Sequence, residues 1–389
     1  MQNIKVTNII LLYLILVLFI SQTTVASEVS LNTEKLPQGL STVEWNQIKR
    51  QINNPVSISS TNFQQQAYIK ASNTGDVDLF GHAVALSGDT LVVGAHGEDS
   101  NTFAVDGQET NNLASLSGAA FVFVRDVNGV WTKQAYLKSY NSETNDNFAN
   151  SVSISGDTIV IGAWGEDSNS TVINSGKDDN SKSNSGAAYV FTRTGSTWTQ
   201  QAYLKAANAD ENDRFGYSVA ISGDSIVVGA RLEDSIATGI NNINAIDNSA
   251  SNAGAAYVFT RTGSIWTQQA YLKAPNTGAG DFFGTSVAIS SDTIVVAASL
   301  EDSNGTGVNS INGANNLASN SGSAYVFVRT GNTWSTEAYL KASNTGTGDQ
   351  FGTAVAIAND TVVVGAVAED SNATGVNGTE TNNSASFAG

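Results

Sequence analysis

Three carboxylates recur together at five places along this chain. They are Asp78 with Glu98 and Asp99, Asp146 with Glu166 and Asp167, Asp213 with Glu233 and Asp234, Asp281 with Glu301 and Asp302, and Asp349 with Glu369 and Asp370. Clustered carboxylates repel unless a cation or hydrogen-bond donors compensate them, and an oxygen-only set suits a hard cation such as calcium. Two alternatives stay open: each lone Asp caps backbone amides, and each Glu-Asp pair is solvated or paired with lysine. Paired carboxylates also perform glycoside hydrolysis, but catalysis needs them once, so a set repeated in every copy reads as scaffold.

The elements that must position these groups follow from the internal period. Tyr68, Tyr136, Tyr203, Tyr271 and Tyr339 mark one point in successive copies 67 or 68 residues apart. Each copy holds four strand-like runs. In the third, "YSVAIS" and "SIVVGA" flank Gly223-Asp224, a two-residue hairpin signal. A loop rich in Asn, Ser and Ala follows, then "GAAYVFTR", the turn Thr262 to Ser264, and "WTQQAYLKA". The first two runs are almost continuously apolar. The fourth alternates, Trp266, Ala270 and Leu272 opposing Thr267, Gln269, Tyr271 and Lys273, which predicts interior first strands and an exposed last one. Four antiparallel strands per copy, without helices, predict an all-β fold: a β-propeller of four-stranded blades, about 68 residues per repeat.

Antiparallel alternation sends both tight turns to one rim and both long connections to the other, where the acidic triplets gather at adjoining strand ends about 5 Å apart. Lys70, Lys138, Lys205, Lys273 and Lys341 close the outer strands on that rim, which leaves each copy two charges negative and predicts an acidic face. Arg125, Arg193, Arg261 and Arg329 end the third strands at the tight-turn rim, solvated or facing the turn aspartates. Tyr189 and Phe191, with their equivalents, have the spacing to fill the space between blades.

Phe80-Gly81, Phe215-Gly216, Phe283-Gly284 and Phe351-Gly352 open the first strands, and Gly94-Ala95, Gly162-Ala163, Gly229-Ala230 and Gly365-Ala366 end the second. This pattern resembles the FG-GAP repeat of integrin α-subunit propellers and of secreted bacterial proteins built from such repeats. The second copy departs with Phe148-Ala149, the fourth with Ala297-Ala298, and no copy has proline after Gly-Ala. The resemblance implies a propeller and adhesion-like binding. Its calcium-binding members carry an Asp-rich loop between the first two strands, where this chain has only "SGDT", "SGDS", "SSDT" or "ANDT", too few oxygens for that site.

Composition limits the rest. With 389 residues, 41% of them hydrophobic, the chain can bury a large core, and a net charge of −17 disfavours nucleic acid and anionic lipid. The lack of cysteine removes disulfides and thiolate sites. Residues 1–26 have Lys5 ahead of an apolar run from Ile9 to Ile20 and end in Thr24-Val25-Ala26, a secretory signal peptide whose apolar run is shorter than the roughly 20 residues that span a bilayer. The mature chain then has no stable membrane span. In 27–62, Ser41 and Glu44 have capping-box spacing before Trp45, Ile48 and Ile52, predicting a short helix.

Residues 63–389 are repeats. Phe63 to Lys70 aligns with a fourth strand, and Gly389 aligns with Gly118, Gly186, Gly254 and Gly322, so the reading is five copies with the last incomplete and further C-terminal sequence expected. Asn169, Asn304, Asn372 and Asn377 head Asn-x-Ser/Thr triplets that accept glycans in a eukaryotic secretory route. His82 and His96 occur only in the first copy, and no Ser-His-Asp set or phosphate loop is visible. "RTGSTW" has Arg193 where the aspartate box of sialidase-like propellers has Asp. The reading is a secreted or cell-surface, non-enzymatic propeller that binds an extracellular protein or polysaccharide. The alternatives are a carbohydrate-active propeller enzyme and a structural matrix component.

Overall fold

The computed structural model describes residues 65–242, 246–310, 315–376, 378, 380 and 382–389. The expected signal peptide and short helix lie outside them. The chain divides into two units, Met1–Gln66 and Ala67–Gly389, and every described strand belongs to the second.

Among the described residues, eighteen strands form five antiparallel sheets. The first blade holds β1(Ala83–Ser87), β2(Thr90–Ala95), β3(Ala119–Arg125) and β4(Trp131–Leu137). The second holds β5(Ser151–Ser155), β6(Thr158–Ala163), β7(Ala187–Thr194) and β8(Thr197–Leu204). The third holds β9(Phe215–Ser222), β10(Ser225–Ala230), β11(Ala255–Thr262) and β12(Ile265–Leu272). The fourth holds β13(Phe283–Ser290), β14(Thr293–Ala298), β15(Ser323–Thr330) and β16(Thr333–Leu340), and β17(Phe351–Ala358) pairs with β18(Thr361–Ala366) in the fifth. Strand order within each sheet is sequential, and the first strands of successive blades face one another, β1 against β5, β5 against β9, β9 against β13 and β13 against β17. Each first hairpin closes on two residues, the leading one at positive φ: glycine in three blades, Ser291 and Asn359 in the others.

The core lies between blades. Val92, Ala120, Val122 and Leu137 of the first blade pack on Ile159, Ile161, Tyr189 and Phe191 of the second, so Tyr189 and Phe191 fill the space assigned to them. From the second blade onward, the Phe at or just ahead of the start of the first strand joins two blades. The Phe215 ring lies 5.3 Å from Tyr257 and 5.9 Å from Phe259, while its backbone N–H donates to Ser185 of the preceding blade. Gly186, at φ +81°, lies against that strand start, where an added Cβ would collide with the Phe215 carbonyl. Only a residue without a Cβ permits this approach.

Four expectations are corrected. The most buried strands are the second and third; the first, an edge strand of its sheet, is only partly covered. The fourth strand does not alternate to its end: a bulge at Gln269 shifts the register, and Tyr271, Leu272 and Lys273 are all buried. Residues 65–71, which align with the fourth strands, form no strand: a fourth strand pairs with a third, and the sheet left to complete, β17 with β18, has none among the described residues. In the first two blades the first strand also starts three residues after the Phe, at Ala83 and Ser151.

Candidate functional site

The tight-turn rim is a repeated clasp. Arg193 ends β7, its N–H donates to the carbonyl of the turn residue Asp157, and its guanidinium meets the Asp157 carboxylate at 2.5 Å. It also donates from Nη1 to Thr90 and to Gln134 of the preceding blade, and the Trp198 indole N–H donates to the same Gln134 oxygen at 2.9 Å. Gln134 is the residue extruded by the bulge in β4, so the bulge aims it across the blade gap. Arg261 and Trp266 repeat the arrangement on Gln201, and Arg329 and Trp334 on Gln269. The turn aspartate, not solvent, is thus the partner of these arginines.

On the loop-bearing rim the acidic triplets have three distinct places. The lone Asp caps its own turn: Asp78, Asp146, Asp213, Asp281 and Asp349 accept from the N–H of Gly75, Glu143, Asp210, Gly278 and Gly346. Second in each pair, Asp99, Asp167, Asp234, Asp302 and Asp370 pin the far end of the long loop, accepting from the N–H of Leu116, Asn184, Asn252, Asn320 and Phe387. The Glu goes inside. Glu166, 1% exposed, accepts from Lys205, Tyr203, Asn141 and the Ser168 N–H, and Tyr189 donates to Asn141 behind it.

The same staple recurs with Lys138 on Glu98, Lys273 on Glu233 and Lys341 on Glu301. Asn73, Asn208, Asn276 and Asn344 reach Glu98, Glu233, Glu301 and Glu369 in turn. Lys138, Lys205, Lys273 and Lys341 are therefore buried counter-ions, and the expected concentration of charge on this face is corrected: in four blades a positive and a negative charge cancel inside the protein. Sequence reading missed the Asn and the Gln, although each recurs at a fixed offset, Asn three residues after the lysine and Gln two before the tyrosine.

Burial sets the electrostatics. It pushes the carboxyls of Asp146 and Asp213 up to about 8 and that of Asp281 up to about 7, against the backbone hydrogen bond each accepts. It draws the ammonium groups of Lys138, Lys205 and Lys273 below the ordinary lysine value, with their glutamates pulling the other way. The β1–β2 type turn, where the family resemblance implies calcium, does not fit that ion: its single carboxylate, Asp89 in the first blade, is bound to Arg125. Among the described residues no three Asp, Glu or His side chains converge to hold a metal.

Beside this repeated frame lie three positions that change from blade to blade. Leu79, Asn147, Arg214, Phe282 and Gln350, just before each Phe, all have φ between 54° and 58°. The left-handed region costs a residue other than Gly, Asn or Asp about 1–2 kcal/mol, so Leu, Arg, Phe and Gln are not there for backbone reasons. His82, Asn150, Tyr217, Thr285 and Thr353 occupy the second position, and His96, Trp164, Arg231, Ser299 and Val367 the third. His82 and His96 meet edge to face with ring centroids 4.2 Å apart, and Arg214 and Arg231 lie over aromatic rings. Asn169, Asn304 and Asn372, each heading an Asn-x-Ser/Thr triplet, are exposed, and Asn377 lies outside the described residues.

Four-stranded blades in succession, buttoned together by a bulged Gln at one end and a Phe-Gly contact at the other, define a β-propeller repeat protein. The FG-GAP repeat family model matches residues 63–123, 131–191, 198–259, 266–327 and 334–380, and the chain belongs to this family. From the second onward, each match opens in the outer strand of one blade and closes in the next, so the sequence repeat carries the inter-blade contacts within it. No curated protein matches the chain. Among the described residues no helix is long and apolar enough to cross a membrane.

Proposed function

We propose that this chain is a secreted or surface-exposed, non-enzymatic β-propeller that binds an extracellular protein or polysaccharide through its loop-bearing rim, in the manner of an adhesion module. One observation carries the reading: the tight-turn rim repeats one clasp from blade to blade, whereas the loop-bearing rim presents side chains that differ at the three equivalent positions. Long connections over residues 96–118, 164–186, 231–254 and 299–322 surround those positions, and exposed loops on a rigid frame are where binding groups concentrate. In this reading the fifteen carboxylates hold the rim itself rather than a calcium ion, because each of the three kinds already has protein donors.

The test replaces residues 242–248 with a Gly/Ser linker and, separately, alters the turn Thr262 to Ser264, with binding of both folded variants measured on a glycan array and a cell-surface protein library. The loop variant is expected to lose at least tenfold in affinity for the strongest hit and the turn variant to keep it. Loss in the turn variant alone would move the site to the other rim, and release of product from a bound glycan would end the non-enzymatic reading.

A further inference from the structure

Six arginines lie among the described residues, and they divide into two sets. Arg125, Arg193, Arg261 and Arg329 each bind a turn aspartate. Arg214 and Arg231 form no ion pair among the described residues, and the buried Nε of each has no hydrogen-bond partner. This is unexpected in a chain with 35 acidic residues against 18 basic ones. Both instead lie on aromatic rings, Arg214 at 4.5 Å from Trp164 and Arg231 at 3.8 Å from Tyr217 and 5.6 Å from Phe282. Burial, with the nearby charge of Arg214, draws the Arg231 guanidinium below its ordinary value.

We propose that Arg214 and Arg231, framed by Trp164, Tyr217 and Phe282, form a site for the carboxylate of an acidic saccharide. The inference rests on the reading that the loop-bearing rim binds a partner, and it names the chemistry. Two guanidinium groups close enough for the charge of one to act on the other, and without a counter-ion, lack an anion, and the planar fork of arginine matches a carboxylate through paired N–H donors. Both side chains are only partly buried, so a ligand can reach them.

All five residues occupy the three variable positions of the second, third and fourth blades, where scaffold function imposes no repetition. A sugar acid offers in one unit a carboxylate for the arginines, an apolar ring face for Trp164 or Tyr217, and hydroxyls for Asn150, which itself holds the Tyr217 carbonyl. An acidic peptide side chain supplies only the first.

Calorimetric titration of the full chain with trigalacturonate tests this, with the methyl-esterified trisaccharide and a hexaglutamate peptide as comparison arms. Trigalacturonate is expected to bind, the ester to bind at least tenfold more weakly, and hexaglutamate more weakly than the uronate. Arg214→Gln and Arg231→Gln should each lower uronate affinity at least tenfold, Arg231→Lys should recover only part of it, and Arg261→Gln on the opposite rim should leave it unchanged. Thermal melts of each variant separate loss of a site from loss of fold. Absence of uronate binding, equal affinity in Arg231→Gln, or tighter binding of hexaglutamate would overturn the proposal. If the uronate arm fails while replacement of residues 242–248 still abolishes recognition of a library hit, the binding rim survives and only its assigned chemistry falls.

Discussion

The two rims of the blades solve the same problem, holding neighbouring sheets together, with opposite placements of charge. At the tight turns the ion pairs sit in solvent: the Asp224 side chain is 67% exposed and its Arg261 partner 16%. At the loop-bearing rim the pair is interior, Glu233 at 2% and Lys273 at 0% side-chain exposure. Exposed pairs contribute roughly 0–1 kcal/mol, whereas removing one partner of a buried pair costs about 3–5 kcal/mol because the other is left charged in a low dielectric. The long loops therefore leave from a foundation that tolerates little change, while the loop and side-chain positions around it vary freely. Where a pattern repeats in every blade it builds the frame; where it departs, it is available to a ligand.

The largest effect should come from breaking the interior pair. Lys205→Met leaves Glu166 buried beside only neutral donors, and chemical denaturation is expected to show a loss of about 3–5 kcal/mol. A loss below about 1 kcal/mol would mean that water reaches Glu166 and that the two rims are alike. Next comes pH. The carboxyl of Asp213 is raised from 3.8 to about 8, so the folded state holds the proton more tightly than the unfolded one. The associated stability is fully present below about pH 4 and is lost as pH rises towards 8. Asp213→Asn keeps an acceptor for the Asp210 N–H and removes the titration, so its melting temperature should fall less between pH 5 and pH 8 than that of the unchanged chain, as followed by thermal melts across that range. Equal slopes would contradict the assigned burial.

How much of this was legible in the sequence depended on whether a feature declares itself by type or only by register. The 67- or 68-residue period, the hairpin turns and the Phe-Gly sites lie on the surface of the string, and they gave the blades and both rims. The bulge did not. Strict alternation puts Tyr271 and Lys273 on the solvent side, and only the extra residue Gln269 turns them inward, a change that a period-two pattern cannot report. Pairing with lysine stands among the alternatives the sequence leaves open, but the glutamate partner is 39 or 40 residues away in sequence and lysine is rarely buried unless paired, so nothing in the string places the pair inside. Arg214 and Arg231 carry no repeat signal, because no other copy has arginine at either position.

A smaller effect is expected from the clasp. Gln201→Ala removes the acceptor shared by Arg261 and Trp266, and a loss of about 1–3 kcal/mol follows if the indole N–H is left buried without a partner. No change would show that water replaces the glutamine. The smallest effect belongs to calcium. With protein donors already on the rim carboxylates, millimolar calcium should shift the melting temperature no more than a matched magnesium control, and a specific rise abolished by Glu233→Gln/Asp234→Asn would restore a cation to the rim.

The division of labour between the rims is tested most directly by amide hydrogen exchange, with and without the strongest-binding glycan or surface protein from the screen. Binding is predicted to protect the segments around Trp164, Arg214 to Tyr217 and residues 231–254, and to leave the turns at Asp157, Asp224 and Thr262 to Ser264 unchanged. Protection of those turns, with the loop segments exchanging as in the free chain, would contradict the account.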